Sequence, residues 1–436
     1  MTDSLLSKRT HNVDQVFSLP SGAKVGLLGW IALKSRVGGL VFLRLRDGTG
    51  IIQVTARKND VSENVWEELL NVKVESAVYV YGTVREDPRA LGGKEVKLEQ
   101  FSVIAPSEKW PITKSAVKSV SFLYDHRHLA LRGPKTVAIM KIRSRFLKAC
   151  FDFFFSKGYC FIQAPLIVQA ACEGGATLFP IEYFGKEAYL SQSAQLYEEA
   201  AICAFEKVFI VQPAFRAEKS RTSRHLTEFW MVEAEAAFME LDDVMKLQEE
   251  LLCYVVDHIA RECRKELNVL GRKVKDLDPP FPKITYDEAL QIAEKKGYPF
   301  KWGDDIPTEA ERAISKEFDK PFFITKYPVT ARSFYHMPDP KDPRKTLSAD
   351  LMAPEGYGEI ATGGQRIHDY DLLYKKIIEF GLNPESMKWY LELRKYGMPP
   401  HSGFGIGVER TLRWLLKLKH IRSTVLFPRT PSRVYP

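Results

Sequence analysis

Short stretches of alternating apolar and polar residues follow one another between positions 25 and 103. Such alternation over about four to eight residues predicts a β-strand with one buried face. Turn-forming pairs such as Asp47-Gly48 and Gly92-Gly93 separate the stretches. The stretches read V-G-L-L-G-W, G-L-V-F-L-R-L, I-I-Q-V-T, A-V-Y-V-Y-G-T-V and E-V-K-L-E-Q-F-S-V-I. Strands this short and this close together predict a small closed β-barrel.

The pattern changes beyond a linker at 105–114, which reads A-P-S-E-K-W-P-I-T-K. After Gly133-Pro134 the stretch V-A-I-M-K-I-R-S-R-F-L-K-A-C-F-D-F-F-F has a helical period and predicts a long helix that ends near Gly158. Strands and helices then alternate to the carboxyl terminus. The predicted organisation is an N-terminal extension (1–17), an all-β barrel of the oligonucleotide-binding (OB) type (18–105), a linker (106–132) and an α+β domain (133–436) with a helix-rich insertion at about 241–318.

Composition agrees with two folded domains. A chain of 436 residues exceeds what one hydrophobic core usually supports, and 45% hydrophobic with 27% charged residues is typical of a globular protein. No apolar run reaches the length of a membrane span, and residues 1–12 lack the apolar core of a secretory signal, so we expect a cytoplasmic protein with no membrane partner. The cysteines form no C-x-x-C pair and are interpreted as reduced packing residues. A net charge of +8 favours a polyanionic partner only slightly.

A basic loop carries the first candidate chemistry, in F-R-A-E-K-S-R-T-S-R-H-L-T-E-F-W-M-V-E-A-E at 215–235. The later half of this segment alternates like a strand, so we predict a strand, a basic loop and a returning strand. Several guanidinium groups in one loop suit a triphosphate, whose charge is spread over many oxygens. Taken alone, such a loop is more often a solvated charge cluster on a hairpin.

Two further segments lie downstream. The glycines of G-F-G-I-G-V-E-R-T-L-R-W-L-L-K-L (403–418) allow a ligand to approach the backbone, and Arg410 is predicted in the first turn of an amphipathic helix. This segment fits neither a Rossmann pattern nor a P-loop. Upstream of it, Asp350 and Glu359 flank a glycine-containing turn. Their carboxylates are suited to share a Mg²⁺, or they are ordinary surface acids.

Taken together, these segments resemble the signature motifs of class II aminoacyl-tRNA synthetases, in the family's order. The long helix with G-Y-C-F-I-Q-A-P resembles motif 1, F-R-A-E with R-H-L-T-E-F resembles motif 2, and G-F-G-I-G-V-E-R resembles motif 3. The pattern G-W then R-x-G-G-x-x-F-x-x-x-R-D-G-T-G-x-x-Q (29–53) resembles the anticodon-binding barrel of the aspartyl, asparaginyl and lysyl subgroup. The resemblance covers 19–436. It implies an OB-fold followed by an α+β catalytic domain with an antiparallel sheet flanked by helices.

The resemblance implies an ATP site that activates an amino acid by positioning and charge neutralisation, without a nucleophile of its own. The residues implied are Arg216 at the α-phosphate, Glu218 and Phe229 at the adenine, Arg224 and Arg410 at the outer phosphates, and His225, Glu359 and Gly407 in the same site. Mg²⁺ is the implied cofactor, and its implied ligands are Asp350, Glu359 and Thr362.

The resemblance also implies the amino-acid substrate. The residues implied around its α-ammonium group are Glu173, Ser193, Gln195 and Glu233. Aspartyl enzymes typically read Q-S-P-Q-L-Y-K, with a lysine that pairs with the substrate carboxylate, whereas this chain has Glu198 there. Like charges about 4 Å apart repel by roughly 4 kcal/mol at an effective dielectric near 20, so Glu198 should disfavour aspartate. A carboxamide accepts from Arg366 and donates to Glu198 or Glu228, which implies L-asparagine.

Other strings support the same substrate even if Glu198 faces away from it. E-G-G-A-T-L-F, A-E-K-S-R-T, A-P-E-G-Y-G-E-I and L-F-P-R-T-P resemble asparaginyl enzymes of the archaeal and eukaryotic type. In the barrel, the resemblance implies that Phe42 stacks on an anticodon base while Gln53 and Glu95 bind base edges. Phe42 is alternatively a core residue. The implied partners are tRNA(Asn), ATP, L-asparagine and a second copy of the chain, in a motif 1 homodimer.

Three alternatives remain open at this point. The first is an aspartyl-tRNA synthetase, including one that charges both tRNAs. The second is a non-catalytic tRNA-binding protein descended from a synthetase, which the intact motif residues disfavour. The third is an asparagine-synthesising relative, which should lack the barrel.

Overall fold

The computed structural model describes residues 4–113, 115–169, 177–219 and 222–436. The chain separates into two units, Met1–Tyr124 and Asp125–Pro436. The first unit holds α1 (Val13–Val16), β1 (Lys24–Val37), β2 (Leu40–Arg46), β3 (Ile51–Arg57), α2 (Glu63–Asn71), β4 (Ala77–Glu86) and β5 (Lys94–Ala105), and α3 (Val120–Asp125) ends at the boundary.

Strands β1 to β5 form the closed barrel that the alternating stretches predict, in the order β1-β2-β3-β5-β4. Alternate residues fill its interior: Val41, Leu43 and Leu45 of β2 are buried, whereas the residues between them are more exposed. The prediction of a barrel is confirmed. Helix α2 was not predicted, and it packs Trp66 and Leu69 onto the barrel core.

The second unit alternates between helices and strands. Its helices are α4 (Arg127–Ala130), α5 (Pro134–Ser156), α6 (Gln195–Phe205), α7 (Leu241–Glu262), α8 (Arg264–Leu270), α9 (Tyr286–Lys295), α10 (Thr308–Ser315), α11 (Tyr370–Glu379), α12 (Lys388–Glu392) and α13 (Val408–Leu415). Its strands are β6 (Cys160–Phe161), β7 (Ile167–Val168), β8 (Pro180–Tyr183), β9 (Lys186–Leu190), β10 (Lys207–Phe215), β11 (Glu228–Ala237), β12 (Lys283–Thr285), β13 (Phe322–Thr325), β14 (Pro338–Asp339), β15 (Asp342–Thr346), β16 (Ser348–Ala353), β17 (Gly358–Gln365) and β18 (His401–Gly407). In the described parts of both units, no helix combines the length and the apolar character that crossing a membrane requires.

A large sheet organises this unit. Within the described residues it has eight strands in the order β12-β13-β16-β17-β18-β11-β10-β6. The central pairs are antiparallel, and the end pairs β12/β13 and β6/β10 are parallel. The smaller sheets are β7-β9-β8 and β14-β15. The predicted α+β domain with an antiparallel sheet and flanking helices is confirmed.

The two faces of the large sheet differ in chemistry. Val232 and Ala234 of β11 belong to a hydrophobic core shared with α5 and α7. Because successive strand residues point to opposite faces, Glu233 and Glu235 project from the other face. In β18 the same alternation puts Phe404 in the core and leaves glycines beside the glutamates. The second face is therefore polar and open to a ligand.

Candidate active site

A cavity of about 600 Å³ lies on this second face of the sheet. Strands β11, β17 and β18, helix α13 and the loop between β10 and β11 all supply residues to its wall. The predicted ATP, amino-acid and metal residues that line it are Ser193, Gln195, Arg216, Glu218, Arg224, His225, Phe229, Glu233, Glu359, Thr362, Arg366, Gly407 and Arg410. The fold thus gathers one group of functional side chains from distant parts of the chain.

The basic loop joins two paired strands, as the sequence predicts. Strands β10 and β11 run antiparallel, and the loop connects them. Directly after β10, the Arg216 guanidinium lies over the Phe229 ring, 5.4 Å from its centroid, and the backbone N–H of Arg216 donates to the Thr227 carbonyl at 3.0 Å. The cation–aromatic contact keeps Arg216 against the wall of the cavity. Loop residues 220–221 lie outside the described residues.

His225 is held in a neutral state beside the arginines. Its Nδ1 lies 2.6 Å from Thr222 Oγ1, and its Nε2 lies 3.8 Å from a Glu218 carboxylate oxygen. Burial, together with the positive charges of Arg410 and Arg224, lowers the pKa of His225 to about 3. At neutral pH the ring is uncharged, so it contributes hydrogen bonding rather than positive charge to this site.

The predicted phosphate-binding residues form a chain of alternating charges. Arg410 donates to Glu359 Oε2 at 2.7 Å, and Arg224 Nη2 lies 3.9 Å from the same oxygen. Arg224 Nη1 is paired with Glu311 of α10. Burial alone would raise the pKa of Glu359, but Arg410 and Arg224 lower it to about 2. Glu311 was not predicted, because it belongs to none of the motifs and lies in the segment that the sequence predicts as a helix-rich insertion.

The residues predicted to hold a metal offer oxygen atoms only. Thr362 Oγ1 donates to Asp350 Oδ1 at 2.8 Å, and Arg332 donates to Asp350 Oδ2 at 2.6 Å. Glu359 and Thr362 line the cavity, whereas Asp350 is buried behind them and does not. Within the described residues, no three His, Cys, Asp or Glu side chains form a ready-made metal cluster. A carboxylate and a hydroxyl at the wall nevertheless fit a hard cation that also binds phosphate oxygens.

The predicted amino-acid end is a network of short hydrogen bonds. Glu233 accepts from the Ser193 hydroxyl and, at 3.1 Å, from the Ala194 N–H. The Gln195 carboxamide oxygen accepts from Arg366 at 2.7 Å. Arg366 also pairs with Glu235 at 3.1 Å. Each of these side chains is at most 9% exposed, so the network presents a fixed pattern of charges and acceptors.

A buried layer supports this network from behind. The Gln195 amide nitrogen donates to Glu199 and Glu235, at 2.9 Å in both cases. Glu199 is also bound by Arg394, by the Tyr390 hydroxyl at 2.8 Å and by His401 at 3.0 Å. Neither Glu199 nor Glu235 was predicted. The sequence nevertheless contains a signal for each. Glu199 directly follows the predicted Glu198, and Glu235 lies two residues beyond the predicted Glu233, on the same face of β11.

Glycines of β18 make room for these carboxylates. A Cβ added to Gly403 would overlap the Glu235 carboxylate, and one added to Gly405 would lie 2.6 Å from Met231 Cε. Gly405 and Gly407 line the cavity. The predicted close approach to a ligand therefore fits Gly405 and Gly407, while Gly403 accommodates a neighbouring side chain.

Glu198 and Glu228 are predicted amino-acid residues that do not line the cavity. Glu198 is only 1% exposed, and its Oε1 has no hydrogen-bond partner among the described residues. Burial, and then the charges of Glu233 and Glu235, raise the pKa of Glu198 well above its usual value. Glu228 is exposed at the start of β11. Glu173 lies outside the described residues.

The predicted anticodon residues lie together on the barrel. Gln53 Nε2 donates to Glu95 Oε2 at 3.0 Å, and the Thr55 hydroxyl donates to Glu95 Oε1 at 3.1 Å. Phe42 pairs with Thr55 across β2 and β3. It is half-buried and not part of the barrel core. The alternative of a core role for Phe42 is therefore wrong.

Comparisons with known proteins cover both units. A family model described as "tRNA synthetases class II (D, K and N)" matches residues 119–431, and one described as "OB-fold nucleic acid binding domain" matches residues 25–107. Asparagine–tRNA ligase from Thermococcus kodakarensis is 50% identical over 95% of this chain and 96% of its own length. That from Pyrococcus furiosus is 49% identical over the same shares.

Solved structures agree with these matches. Asparaginyl-tRNA synthetase from Pyrococcus horikoshii, complexed with asparaginyl-adenylate, superposes with a TM-score of 0.92 at 49% identity, over 95% of this chain and 97% of that one. The resemblance found in the sequence is confirmed. Because one family model matches most of the chain, and asparagine–tRNA ligases match nearly all of it, the chain belongs to the class II tRNA synthetases of the aspartate, lysine and asparagine group, and within that group to the asparagine–tRNA ligases.

Proposed function

We propose that the cavity joins asparagine to ATP, giving asparaginyl-adenylate and pyrophosphate, and then transfers the asparaginyl group to tRNA(Asn). The observation that carries this proposal is the division of the cavity into two ends. One end has buried acceptors around Glu233 and the donor Arg366, and the other has the arginines of the two motif segments. Arg216 lies in the same wall. An amino acid and a triphosphate can therefore meet within one cavity.

Arg216 has the central role in activation. An asparagine carboxylate oxygen attacks the α-phosphorus, and the bond from that phosphorus to the pyrophosphate oxygen breaks. Negative charge on the phosphoryl oxygens is stabilised by the Arg216 guanidinium, which lies against the Phe229 ring, while the Thr227 carbonyl fixes the Arg216 backbone. Arg224 and Arg410 neutralise the leaving pyrophosphate. Glu218 accepts a hydrogen bond from the adenine amino group, and Phe229 stacks against the ring.

Charge balance favours asparagine over aspartate. Arg366 is already paired with Glu235, and Glu198 and Glu233 add further carboxyl groups nearby. A substrate carboxylate would bring one more negative charge into this buried region, where Arg366 already has a partner carboxylate. A carboxamide adds no charge, and its oxygen accepts from Arg366.

We propose Mg²⁺ as the cofactor at the phosphate end. Glu359 and Thr362 would hold it, and Asp350 would orient Thr362 through their 2.8 Å hydrogen bond. Once bound, the cation supplies charge neutralisation to the phosphate oxygens. Glu359 would exchange its contact with Arg410 for the cation, which leaves Arg410 to bind phosphate.

The remaining partners are proposed from each unit separately. On the barrel, half-buried Phe42 offers a stacking surface, while Gln53 and Glu95 offer hydrogen bonds to anticodon bases. A second copy of the chain would pack against the edge strand β6, where Phe161 and the neighbouring Phe155 are 37% and 57% exposed. We expect the reaction to take place in the cytoplasm.

Exchange of labelled pyrophosphate into ATP tests this function. We expect exchange that depends on asparagine and not on aspartate. Arg216→Ala should abolish exchange while the protein still binds tRNA(Asn). Exchange supported by aspartate alone would contradict the proposed specificity, and unchanged exchange in Arg216→Ala would contradict the proposed role of the basic loop.

A further inference from the structure

A glutamate from the helix-rich insertion reaches into the phosphate end of the cavity. Glu311 lies on α10, 87 positions from Arg224 in sequence, and the two side chains form a direct ion pair. They are 7% and 8% exposed. The pair extends into a row of alternating charges, Glu311, Arg224, Glu359 and Arg410, supplied by four separate segments of the chain.

The backbone of β17 leaves space for this ion pair. Gly358 has a φ of +82°, and a Cβ added there would lie 2.7 Å from Glu311 Oε2 and 3.0 Å from Arg224 Nη1. A side chain at position 358 would therefore displace one member of the pair. Glycine at this position satisfies both the backbone conformation and the close approach.

This row of charges determines which carboxylate forms a hydrogen-bonded ion pair with Arg224. Its Nη1 is bound to Glu311, and its Nη2 stays 3.9 Å from Glu359, beyond hydrogen-bond distance. A buried arginine without a partner carboxylate is costly. If Glu311 were neutral, the nearest remaining carboxylate for Arg224 would be Glu359, the residue proposed above to bind the cation.

We propose that Glu311 is a positioning residue that keeps Arg224 away from Glu359, so that Glu359 can bind Mg²⁺ and Arg224 can bind the outer phosphates of ATP. This inference rests on the proposed function. Glu311 itself touches neither substrate nor cation in this arrangement. It binds Arg224 through Nη1 and leaves Nη2 beyond hydrogen-bond distance of Glu359.

Glu311→Gln tests the inference, with Glu309→Gln as the matched control, because Glu309 is an exposed acid on the same helix. In Glu311→Gln we expect the Mg²⁺ concentration for half-maximal asparagine-dependent exchange, and the KM for ATP, to rise about tenfold, the scale of one charged hydrogen bond. The KM for asparagine and the kcat at saturating Mg²⁺ should stay near wild type. Glu309→Gln should match wild type throughout.

A binding measurement without turnover gives an independent result. Mn²⁺ is titrated into the protein with α,β-methylene-ATP and followed by electron paramagnetic resonance, and Glu311→Gln should bind Mn²⁺ about tenfold more weakly. In an Arg224→Gln background, Glu311→Gln should cause no further weakening, because the residue acts through Arg224. If Glu311→Gln does not fold, Glu311→Asp should shift the Mg²⁺ requirement in the same direction.

Several results would overturn the inference. One is a Glu311 variant with a normal Mg²⁺ requirement. Another is an equal loss in every kinetic constant together with a lower Tm, which would indicate a structural ion pair only. Additive effects of the Arg224 and Glu311 substitutions would likewise exclude action through Arg224. Absence of exchange in the wild-type protein would instead contradict the proposed function.

Discussion

The two ends of the cavity are built from the same residue types but in different ways. At the amino-acid end, Gln195 makes hydrogen bonds of 2.7 to 2.9 Å through both its oxygen and its nitrogen, and its partners are buried. At the phosphate end, Arg410 and Glu359 pair at 2.7 Å while each remains more than 20% exposed. The first end is a closed network, whereas the second has the Arg410–Glu359 pair open to the cavity and the Arg224–Glu311 pair buried behind it.

This difference suits the ligands proposed for each end. A small amino acid is distinguished from its analogues by fixed donors and acceptors, which a closed network positions before the ligand arrives. A triphosphate with a cation brings charges of both signs. Arginines and carboxylates that pair with each other can exchange those partners for phosphate and cation without leaving a buried charge alone.

The largest expected effect comes from breaking the amino-acid end at Arg366. Arg366→Ala leaves the Glu235 carboxylate buried without its cation and removes the donor for the asparagine oxygen. We expect kcat/KM for asparagine to fall at least about a thousandfold, as the loss of one partner from a buried pair implies. Steady-state exchange kinetics measure this fall in kcat/KM.

For comparison, Arg410→Ala at the phosphate end should change the KM for ATP more than the KM for asparagine, and the reverse pattern would contradict the division of the cavity.

The next largest effect is on the free energy of unfolding, which should differ between substitutions at the two ends. Glu199→Gln leaves Arg394 and His401 without their shared carboxylate, and all three side chains are fully buried. The free energy of unfolding should fall by about 3 kcal/mol. Glu359→Gln at the half-open phosphate end should cost about 1 kcal/mol or less. Chemical denaturation followed by tryptophan fluorescence measures both, and equal losses would contradict the proposed difference between a closed and a half-open end.

The local pattern of apolar and polar residues is sufficient to predict the barrel and the motif segments. Alternating apolar residues placed the barrel strands, because the interior of a small barrel requires an apolar side chain at every second position. The motif 2 and motif 3 segments are predicted as well, because each has charged residues directly after a strand pattern. Helix α2 was missed although Ser62 caps it and Trp66 and Leu69 share one face, because nine residues give only a weak helical period.

Long-range pairing could not be predicted in the same way. Glu311 is an ordinary acid in an amphipathic helix until the fold brings it to Arg224. Glu198 was expected to meet the substrate, but its sequence position gives no information on whether the side chain faces the cavity or the core. Asp350 was grouped with Glu359 by proximity in sequence, whereas the structure pairs it with Arg332 and Thr362. In each case the partner is set by tertiary packing.

At neutral pH the smallest expected effect is at His225 of the phosphate end, which is buried beside Arg224 and Arg410. Its pKa is lowered to about 3 in the folded protein, against about 6.5 in an unfolded chain. The unfolded state therefore binds this proton more readily, and stability is lost as the pH falls from 6.5 towards 3. His225→Gln should lose less stability than wild type over this range and match it above pH 7, as judged by Tm at each pH. In wild type, the His225 ring resonances should show no titration near pH 6.5. A ring that titrates there would mean that burial and the arginines do not hold it neutral, and the phosphate end would then gain a positive charge on mild acidification.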